Sequence, residues 1–251
     1  MKKEISIVCA TYNAKETINE FLLSLKEQTN TNYQLIIIDG GSSDNTLDII
    51  KNNLDIIDYW ISEPDQGIYD AWNKGISAAK NNWISFVGSD DTLMPNYVES
   101  YLKAIHTIGN DEVDYISSLV SLVDYDNKCI RTLGKPFIWT EFKYKMTTAH
   151  VGSLHHKNLF AEVGNYDISY KIIGDYELLL RKRNKLKTLF INKNTVKMKV
   201  GGTSLSYKAI FERYLAHQQT AKTPKLIAVF TYLRGILELA KFKIELAARK
   251  K

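Results

Sequence analysis

The chain has 251 residues, of which 45% are hydrophobic and 24% are charged. These values are typical of a globular protein with a full core, and they exclude a disordered or fibrous chain. The net charge of +5 is uneven: residues 222–251 hold eight Lys and Arg against two Glu, a net +6, which leaves residues 1–221 at −1. A nucleic-acid-binding body is therefore a poor fit, because such domains carry basic residues along one face.

The cysteines and the N-terminal residues indicate the cellular compartment in which the protein works. Cys9 and Cys129 lie far apart and lack metal-ligand spacing, which favours a reducing environment. The chain starts with two lysines that run straight into a strand pattern, without the apolar core of a signal peptide. We therefore expect a cytoplasmic protein.

The first half of the chain alternates strand and helix patterns. Apolar runs predict strands at 5–10, 33–39, 56–62 and 83–88. Amphipathic spacing and capping residues predict helices at 14–28, from 42–44 to about 53, and at 68–80. The β-α-β-α-β-α-β order predicts a mostly parallel sheet with right-handed crossovers and with helices on both faces.

After Pro95 the pattern is less regular. We predict a helix at 96–108, a hairpin from 113–123 and 128–132, a strand at 149–156, a helix at 174–184, and strands at 188–191 and 196–200. A helix that is apolar on more than one side begins near Pro224. We therefore predict two units, a body of residues 1–221 and a basic amphipathic helix at 222–251.

Polar loops follow several strands of the predicted sheet. Parallel strands share a direction, so these loops meet at one edge, where open α/β sheets bind their ligands. The run after the fourth strand has adjacent carboxylates, hard oxygen ligands suited to Mg²⁺ or Mn²⁺ with a phosphorylated substrate. Each loop alone is equally typical of an ordinary turn. The residues at these strand ends are Thr11, Tyr12, Asn13, Asp39, Gly40, Gly41, Ser89, Asp90 and Asp91.

A further polar loop, residues 62–67, leads directly into a helix. Asp70, Asn73 and Lys74 share one face of that helix, and a helix start with these groups suits a phosphate or sugar hydroxyls. The alternative is a solvated first turn. No G-x-G-x-x-G or Walker A sequence is present, which argues against a dinucleotide cofactor and a P-loop.

The ordered set of loops resembles the family 2 glycosyltransferases, inverting enzymes that elongate bacterial surface polysaccharides. No single segment is specific, but the order is, and the resemblance spans roughly residues 4–205. It implies an α/β fold of the GT-A (nucleotide-diphospho-sugar transferase) type, Rossmann-like, with a mostly parallel central sheet flanked by helices and a C-terminal helical extension. The segments that carry it are 6–13, 38–44, 62–70, 88–91, 174–181 and 201–204.

The resemblance implies a hexosyl or N-acetylhexosaminyl transferase with a nucleotide-sugar donor, a glycan or lipid-linked glycan acceptor, and Mn²⁺ or Mg²⁺ as cofactor. Asp90 matches the metal-binding aspartate, Asp175 the general base, and His150 a contact on the acceptor side. Tyr12 is expected to stack on the base and Asp39 to hydrogen-bond it. The other expected donor contacts are Thr11, Asn13, Asp65, Asp70, Lys74, Ser89 and Asp91.

The chain departs from the family pattern at two glycines. Gly88 occupies the first position of the D-x-D motif, which removes one expected contact and leaves Asp91 as a candidate substitute. Gly174 stands where many members carry an acidic residue before the base. Asp175 itself equally suits the first turn of a helix, where acidic side chains are favourable.

The histidines and the tail leave alternatives open. His150, His155 and His156 fall on one predicted strand, with His150 and His156 on the same face, but ordinary core histidines fit as well and the spacing gives no zinc site. Residues 224–242 are too charged to span a bilayer. A helix lying on the membrane surface fits their basic character. Packing on the body or in a homodimer is the alternative.

Two other functions remain open at this stage. A sugar nucleotidyltransferase also uses an α/β sheet and a carboxylate-bound metal, but such enzymes carry a Gly-rich basic loop after the first strand, and residues 11–14 lack it. A non-catalytic glycan- or lipid-binding protein could retain the same fold. It predicts that Asp90 and Asp175 can be replaced without loss of function.

Overall fold

A computed structural model describes residues 3–109, 112–201 and 206–249. In these ranges the chain forms one mixed sheet with helices on both faces. The strands are β1 (Ile5–Thr11), β2 (Tyr33–Asp39), β3 (Tyr59–Ser62), β4 (Trp83–Gly88), β5 (Thr92–Leu93), β6 (Tyr115–Val123), β7 (Cys129–Leu133), β8 (Leu154–His156) and β9 (Thr188–Lys199). The helices are α1 (Ile18–Lys26), α2 (Thr46–Lys51), α3 (Ile68–Ala78), α4 (Tyr97–Ile108), α5 (Trp139–Phe142), α6 (Lys157–Val163), α7 (Gly174–Lys182), α8 (Tyr207–Gln219) and α9 (Lys225–Arg249), with a 3₁₀ turn at Arg183–Lys185.

The sheet has a parallel half and a mixed half. Its strand order is β3-β2-β1-β4-β8-β6-β9-β5, and β7 pairs with β6 outside this path. Strands β3, β2, β1 and β4 are parallel to one another, which confirms the predicted βα repeats. Strand β8 is antiparallel to both β4 and β6, so the direction changes next to β4. The α/β fold class is therefore the predicted one.

Alternating residues of β1 supply two separate cores, as expected for a strand covered on both faces. Ile7 and Cys9 belong to one core, together with Phe21 of α1. Val8 belongs to the other core, together with Trp72 of α3. Helices α1 and α3 are thereby fixed on opposite faces of the strand whose end carries the first polar loop.

Two predicted strand assignments were wrong. The strand expected at 149–156 contains only Leu154–His156, because Gly152 has a positive φ of 71° and interrupts the extended backbone. The two strands expected at 188–191 and 196–200 form the single strand β9, in which the register against β6 shifts between Ser118 and Val120. The polar residues 192–194 fall at this irregularity, which is why the pattern suggested a break.

The C-terminal helices pack on each other and on the body. Ala228, Leu239 and Phe242 are the buried apolar residues of α9 in the described part, and Phe242 packs with Leu122 and Val200 of the body. Where the chain is described, no helix combines the length and apolarity needed to cross a membrane. The division into residues 1–221 and 222–251 stays a prediction, and Lys250 and Lys251 lie outside the described residues.

Candidate active site

The parallel strands bring four polar loops to one edge of the sheet. In register, Thr11 of β1 lies opposite Asp39 of β2, and Asp39 lies opposite Ser62 of β3. On the other side, Ala10 lies opposite Gly88 at the end of β4. The loops that follow these strands therefore begin side by side, as the sequence predicted.

Asp39 anchors the loop that follows β2. Its carboxylate is fully buried. It accepts hydrogen bonds from the backbone N–H groups of Gly41 (3.0 Å) and Ser42 (2.8 Å), and from the hydroxyls of Ser42 (2.5 Å) and Ser62 (2.6 Å). A buried carboxylate needs such donors to offset the loss of water. Asp39 thus fixes both the 39–44 loop and its neighbour at Ser62.

Tyr12 and Asp65 flank the backbone of Gly40. A Cβ added to Gly40 would lie 2.6 Å from Oδ2 of Asp65 and 3.4 Å from Cδ2 of Tyr12, so only glycine permits this approach. Asp65 also accepts a 2.8 Å hydrogen bond from the N–H of Gly67. The Tyr12 side chain is 64% exposed and leaves an aromatic surface free for stacking on a planar base.

Thr11 and Asn13 complete the first loop. The Thr11 hydroxyl oxygen is buried and has no hydrogen-bond partner within the described residues. Asn13 adopts a positive φ of 47°, which Asn tolerates better than most residues. Its N–H donates to Ser42 Oγ at 2.8 Å, and its Oδ1 accepts from the N–H of Ser43 at 2.9 Å. Asn13 therefore joins the first two loops.

The start of α3 carries an ion-paired lysine. Lys74 Nζ lies 2.9 Å from Glu63 and 3.9 Å from Asp70, and it donates to the carbonyl of Pro64 at 3.2 Å. Burial lowers the pKa of Lys74, but Glu63 and Asp70 outweigh it and hold the pKa above its usual value. Asp70 also accepts from the N–H of Gln66 at 3.0 Å, so these groups define the 63–67 loop.

Two adjacent carboxylates after β4 have different environments. Asp91 is buried and accepts a 3.0 Å hydrogen bond from the N–H of Gly88. Burial, and then the charge of Asp90, raise the pKa of Asp91 well above its usual value. Asp90 is exposed, whereas Ser89 is buried. Asp90 is therefore the carboxylate that faces solvent at the end of this strand.

The glycine at position 88 has a steric reason. A Cβ at Gly88 would lie 2.6 Å from Oδ1 of Asp90 and 3.2 Å from Oδ2 of Asp91. The Asp90 carboxylate thus occupies the space beside the strand end into which a side chain at position 88 would project. The glycine that breaks the expected motif is what allows Asp90 to take this position.

The oxygen ligands available at this edge of the sheet suit a cation that binds together with a phosphorylated substrate. Among the described residues, no group of three or more His, Cys, Asp or Glu could form a protein cage for a metal ion. Mg²⁺ is commonly held by one or two carboxylates, water and substrate phosphates, so a single exposed Asp90 suits this manner of binding.

Asp175 lies at the start of α7, next to α3. The hydroxyl of Tyr69 lies within hydrogen-bond distance of two acceptors, Oδ1 of Asp175 at 3.1 Å and the carbonyl of Ile172 at 2.7 Å, which share its single proton. The side chain of Asp175 is 19% exposed, which leaves it accessible to a ligand. A Cβ at Gly174 would meet the Tyr69 ring at 2.9 Å. The glycine before Asp175 therefore makes room for the tyrosine that holds the carboxylate.

His150 joins Asp175 in the same part of the structure. Its Nδ1 lies 3.9 Å from Oδ2 of Asp175, and its Nε2 lies 3.3 Å from the hydroxyl of Tyr166. The imidazole is buried and stacks on Trp72 at 5.0 Å between centroids. Burial lowers the pKa of His150, while Asp175 partly opposes this change. The histidine is therefore neutral at pH 7.

His155 and His156, the other two histidines of the predicted strand, have structural roles. The expectation that His150 and His156 share a strand face was wrong, because the strand begins at Leu154. His155 is fully buried among aromatic rings, and burial lowers its pKa well below the usual value. His156 Nδ1 accepts from the N–H of Asn158 at 3.3 Å and caps α6.

Glu212 of α8 is a supporting residue that sequence reasoning missed. Its buried carboxylate accepts from the backbone N–H groups of Lys171 (3.1 Å), Ile172 (2.8 Å) and Ile173 (3.2 Å). These amides directly precede α7, so Glu212 fixes the start of the helix that carries Asp175. No local pattern marks this residue, because its partners lie about 40 positions away.

Asn73 likewise supports the structure instead of facing a ligand. Its side chain donates to the carbonyl of Tyr166 at 2.9 Å and accepts from the N–H of Tyr166 at 3.0 Å. Helix α3 thus holds the segment around Tyr166 beside His150. The glycine–serine motif at 202–204 lies outside the described residues.

The fold is similar to that of GT-A glycosyltransferases of known structure. Crystal structures of S. aureus TarS superpose over 93% of this chain, with a TM-score of 0.65 and 15% identity, although the chain spans 43% of the longer TarS structure. A mannosyltransferase from Pyrobaculum calidifontis, solved with GDP-Man and Mn²⁺, covers 99% of the chain with a TM-score of 0.63 and 11% identity.

Sequence comparison gives the family. The profile described as Glycosyl transferase family 2 matches residues 6–159, and the chain belongs to this family. A Mycobacterium tuberculosis protein named PGL/p-HBAD biosynthesis glycosyltransferase is 30% identical over 183 residues, which cover 70% of this chain and 68% of the relative. The sequence-based identification as a family 2 glycosyltransferase is thereby confirmed.

Proposed function

We propose that this glycosyltransferase moves a sugar from a UDP-sugar to a hydroxyl of a glycan or lipid-linked glycan, with inversion, in the synthesis of a surface polysaccharide. The observation that carries the proposal is the placement of Asp175. Its carboxylate is held by Tyr69 at the start of α3, the helix that follows the predicted donor loops. Solved TarS complexes with UDP and UDP-GlcNAc support a uridine nucleotide.

The donor side follows from the loops at the strand ends. Tyr12 stacks on the base, while the buried carboxylate of Asp39 keeps the neighbouring loop in place beneath it. Asp65 and Asp70 lie on the ribose and sugar side, next to Lys74. The unpartnered buried hydroxyl of Thr11 supports a ligand at this position, because buried polar groups in native structures are normally paired.

Asp90 is the residue that would hold Mn²⁺ or Mg²⁺, with the donor diphosphate completing the ligands. When bound, such a cation stabilises the negative charge that develops on the leaving nucleotide. Asp91 is buried, and it holds this loop by accepting a hydrogen bond from the N–H of Gly88. The Mn²⁺ complex of the mannosyltransferase supports this part of the proposal.

Asp175 acts on the acceptor. Its carboxylate removes the proton of the attacking hydroxyl. The hydroxyl oxygen bonds to the anomeric carbon from the face opposite the leaving nucleotide, so the configuration at that carbon is inverted. The Tyr69 hydrogen bond orients the carboxylate for this step. His150, neutral and buried beside Asp175, contacts the acceptor or holds the base in place.

The proposed membrane contact involves α9. Its outer side carries exposed apolar residues at helical spacing, which we call the α9 stripe: Leu226, Phe230, Leu233, Leu237 and Ile244. Exposed lysine and arginine residues flank it: Lys225, Arg234, Lys241 and Lys243. Apolar stripes bordered by basic residues lie at anionic membrane surfaces, where each basic side chain contributes about 1 kcal/mol. This supports peripheral attachment at the inner face of the cell membrane.

A donor panel tests the proposal. UDP-sugars and GDP-sugars are incubated with the enzyme and a set of glycoside acceptors, and nucleotide release is measured with Mn²⁺, Mg²⁺ or EDTA. We expect UDP release that requires the metal. Undiminished release in EDTA would contradict the role of Asp90. Release of pyrophosphate in a parallel assay with UTP and a sugar 1-phosphate would identify a sugar nucleotidyltransferase instead, and an absence of turnover with every donor would favour a binding protein.

A further inference from the structure

Lys171 connects the two parts of the candidate site. It comes four residues before Asp175, the proposed base, and its ammonium group donates a 2.8 Å hydrogen bond to the carbonyl oxygen of Gln66. Gln66 directly follows Asp65, a proposed donor contact, in the 62–67 loop. Lys171 and Gln66 are 105 positions apart in the chain. One side chain thus joins the loop on the donor side to the segment that leads to the base.

The ammonium group of Lys171 has a second acceptor in its own segment. Its Nζ also donates to the carbonyl of Ile168 at 2.9 Å. In the described part of the chain, both acceptors are neutral carbonyl oxygens, while the nearby acids Glu63 and Asp70 pair with Lys74 instead. Lys171 is therefore a link between two stretches of backbone and not the partner of a single carboxylate.

The backbone of Lys171 is fixed from the opposite side. Its N–H group lies 3.2 Å and 3.1 Å from the two carboxylate oxygens of Glu212, a buried residue of α8. The same carboxylate accepts the N–H of Ile172 at 2.8 Å. The main chain at Lys171 is thus anchored on α8, and its side chain reaches from this anchor to the 62–67 loop.

The peptide groups of Gln66 are held on both sides. The N–H of Gln66 donates to Oδ2 of Asp70 at 3.0 Å, and its carbonyl accepts from Lys171. The methylene stem of Lys171 passes the next residue, since a Cβ at Gly67 would lie 3.8 Å from Cδ of the lysine. The end of the 62–67 loop is therefore positioned against α3 by Asp70 and against the segment before α7 by Lys171.

Two further contacts connect the same parts of the structure. The hydroxyl of Tyr69 lies 2.7 Å from the carbonyl of Ile172, and the side chain of Asn73 is hydrogen-bonded to the backbone of Tyr166. Tyr69 and Asn73 belong to helix α3, whereas Lys171 reaches the loop that precedes this helix. Loss of the lysine contact would therefore release the loop while α3 stays in place.

We propose that Lys171 is a positioning residue of the transfer step, which sets the distance between the sugar at the 62–67 loop and Asp175. This inference rests on the proposed function. In-line transfer requires the anomeric carbon, the attacking hydroxyl and the base to be aligned, and a displacement of about 1 Å can lower the rate about 100-fold. Lys171 acts by holding the loop, and Asp175 removes the proton.

Lys171→Met tests this role, because methionine keeps an unbranched stem and lacks the N–H donors. We expect kcat for transfer to fall by about tenfold, less than the full effect of misalignment because the Tyr69 and Asn73 contacts remain. Binding of UDP in calorimetric titration should stay unchanged, since the proposed stacking on Tyr12 lies in another loop. Lys171→Arg retains the charge and N–H donors, and it should restore most of kcat.

A double-mutant cycle with Asp175→Asn separates positioning from a general effect on the fold. If Lys171 works by aligning the sugar with the base, Lys171→Met should have little further effect in the Asp175→Asn enzyme. Lys80→Met is the matched control, because Lys80 is exposed just beyond the far end of α3, and it should keep full activity. A loss of about tenfold in both backgrounds, or an unchanged kcat in Lys171→Met, would overturn the proposal.

Hydrogen–deuterium exchange examines the link without any substrate. Amides of the 62–70 segment should exchange about three- to tenfold faster in Lys171→Met than in the wild type or Lys80→Met, the effect of losing one ordinary hydrogen bond. Unchanged exchange in this segment would overturn the proposal. If the wild type transfers no sugar from any donor, the proposed function fails instead, and the exchange rates still decide whether Lys171 holds the loop.

Discussion

The hydrogen bond between Tyr69 and Asp175 shows how one contact orients the proposed base. The two residues are 106 positions apart in the chain. The Tyr69 hydroxyl shares its one proton between Asp175 and the carbonyl of Ile172, and it thereby ties the carboxylate to the segment just before α7. Asp175 accepts this single side-chain hydrogen bond and retains oxygen lone pairs for a substrate hydroxyl.

Replacement of Asp175 tests this role. Asp175→Asn keeps the size of the side chain but cannot accept a proton, and we expect kcat for transfer to fall by about 10²–10⁴, the usual contribution of a general base. The KM for the donor should change little, since Asp175 lies on the acceptor side. Steady-state kinetics with the best donor and acceptor give both values.

The control for this experiment is Asp167→Asn. Asp167 is exposed and accepts a hydrogen bond from the N–H of Ser169 in the neighbouring loop. We expect this variant to keep nearly full activity. An Asp175→Asn enzyme as active as the control would show that another group accepts the proton.

Single residues also mark the limit of prediction from sequence. The ordered motifs indicated Asp39, Asp90 and Asp175 because each follows a recognisable strand or starts a helix. The partners of these residues could not be foreseen. Tyr69 lies in the 62–70 segment and Glu212 in a helix without a motif, but no pattern indicates their partners, and only the tertiary fold brings them to Asp175 and to the start of α7.

Among the elements, the parallel strands and the antiparallel β6–β7 hairpin were predictable, and the short strands β5 and β8 were not. Apolar runs bounded by turn residues marked β1, β2 and β4 clearly. By contrast, β5 and β8 have two and three residues, too few for any periodicity to appear. Strand pairing at such places is decided by neighbouring strands, and these are distant in sequence.

Helix α8 supports α7 through Glu212, and this contact gives a prediction. Glu212→Gln removes the negative charge that faces three N–H groups, and its NH₂ group cannot accept the hydrogen bond that Oε1 takes from the N–H of Lys171. We expect a loss of about 1–3 kcal/mol in the free energy of unfolding, the usual effect of unpairing buried polar groups. A lower kcat with unchanged donor KM should accompany it.

Urea unfolding and steady-state kinetics measure the two effects. Glu27→Gln is the matched control, since Glu27 is exposed at the end of α1. If Glu212→Gln loses stability but keeps its kcat, the carboxylate stabilises α8 without positioning Asp175.

His217 of α8 gives a pH-dependent contribution to stability. Its ring lies 3.3 Å from the hydroxyl of Tyr176 and 3.2 Å from that of Thr231 on α9. Burial, and then the nearby charge of Arg213, lower the pKa of His217 to about 4. A histidine in the unfolded chain has a pKa of about 6.5. The unfolded state therefore binds the proton more readily.

We expect the free energy of unfolding to fall as the pH drops from about 6.5 toward 4, with no further contribution of His217 below that range. His217→Gln removes this titration, so its loss of stability over the same interval should be smaller than that of the wild type. Urea denaturation at several pH values measures the difference. Parallel curves for the two proteins would contradict the assignment.

For the molecule as a whole, α9 presents one side to the body and another to solvent. The α9 stripe is a larger exposed apolar surface than isolated surface residues create, and such surfaces mark interaction sites. Sequence analysis left open whether this helix contacts the body or a membrane. In the structure, one side of α9 packs on the body and the side that carries the α9 stripe is exposed to solvent.

Vesicle binding tests the free side. Leu226→Ser, Phe230→Ser and Leu237→Ser together should abolish sedimentation with vesicles that contain anionic lipid, and high salt should weaken binding of the wild type. Leu23→Ser and Leu54→Ser, at exposed leucines elsewhere on the surface, are the control. Loss of a dimer in gel filtration, without any vesicle binding, would show that the α9 stripe contacts a second copy of the chain.

Helix α3 has a consequence for how this enzyme could change its substrates. Lys74 in this helix is proposed to lie on the donor side, whereas Tyr69 contacts Asp175 and Asn73 holds the segment around Tyr166. A mutation that adapts this helix to a new nucleotide-sugar also disturbs the contact between Tyr69 and Asp175, and with it the proposed transfer step. Over evolutionary time such an enzyme is therefore expected to change its donor sugar slowly, because each change in α3 also alters the support of Asp175.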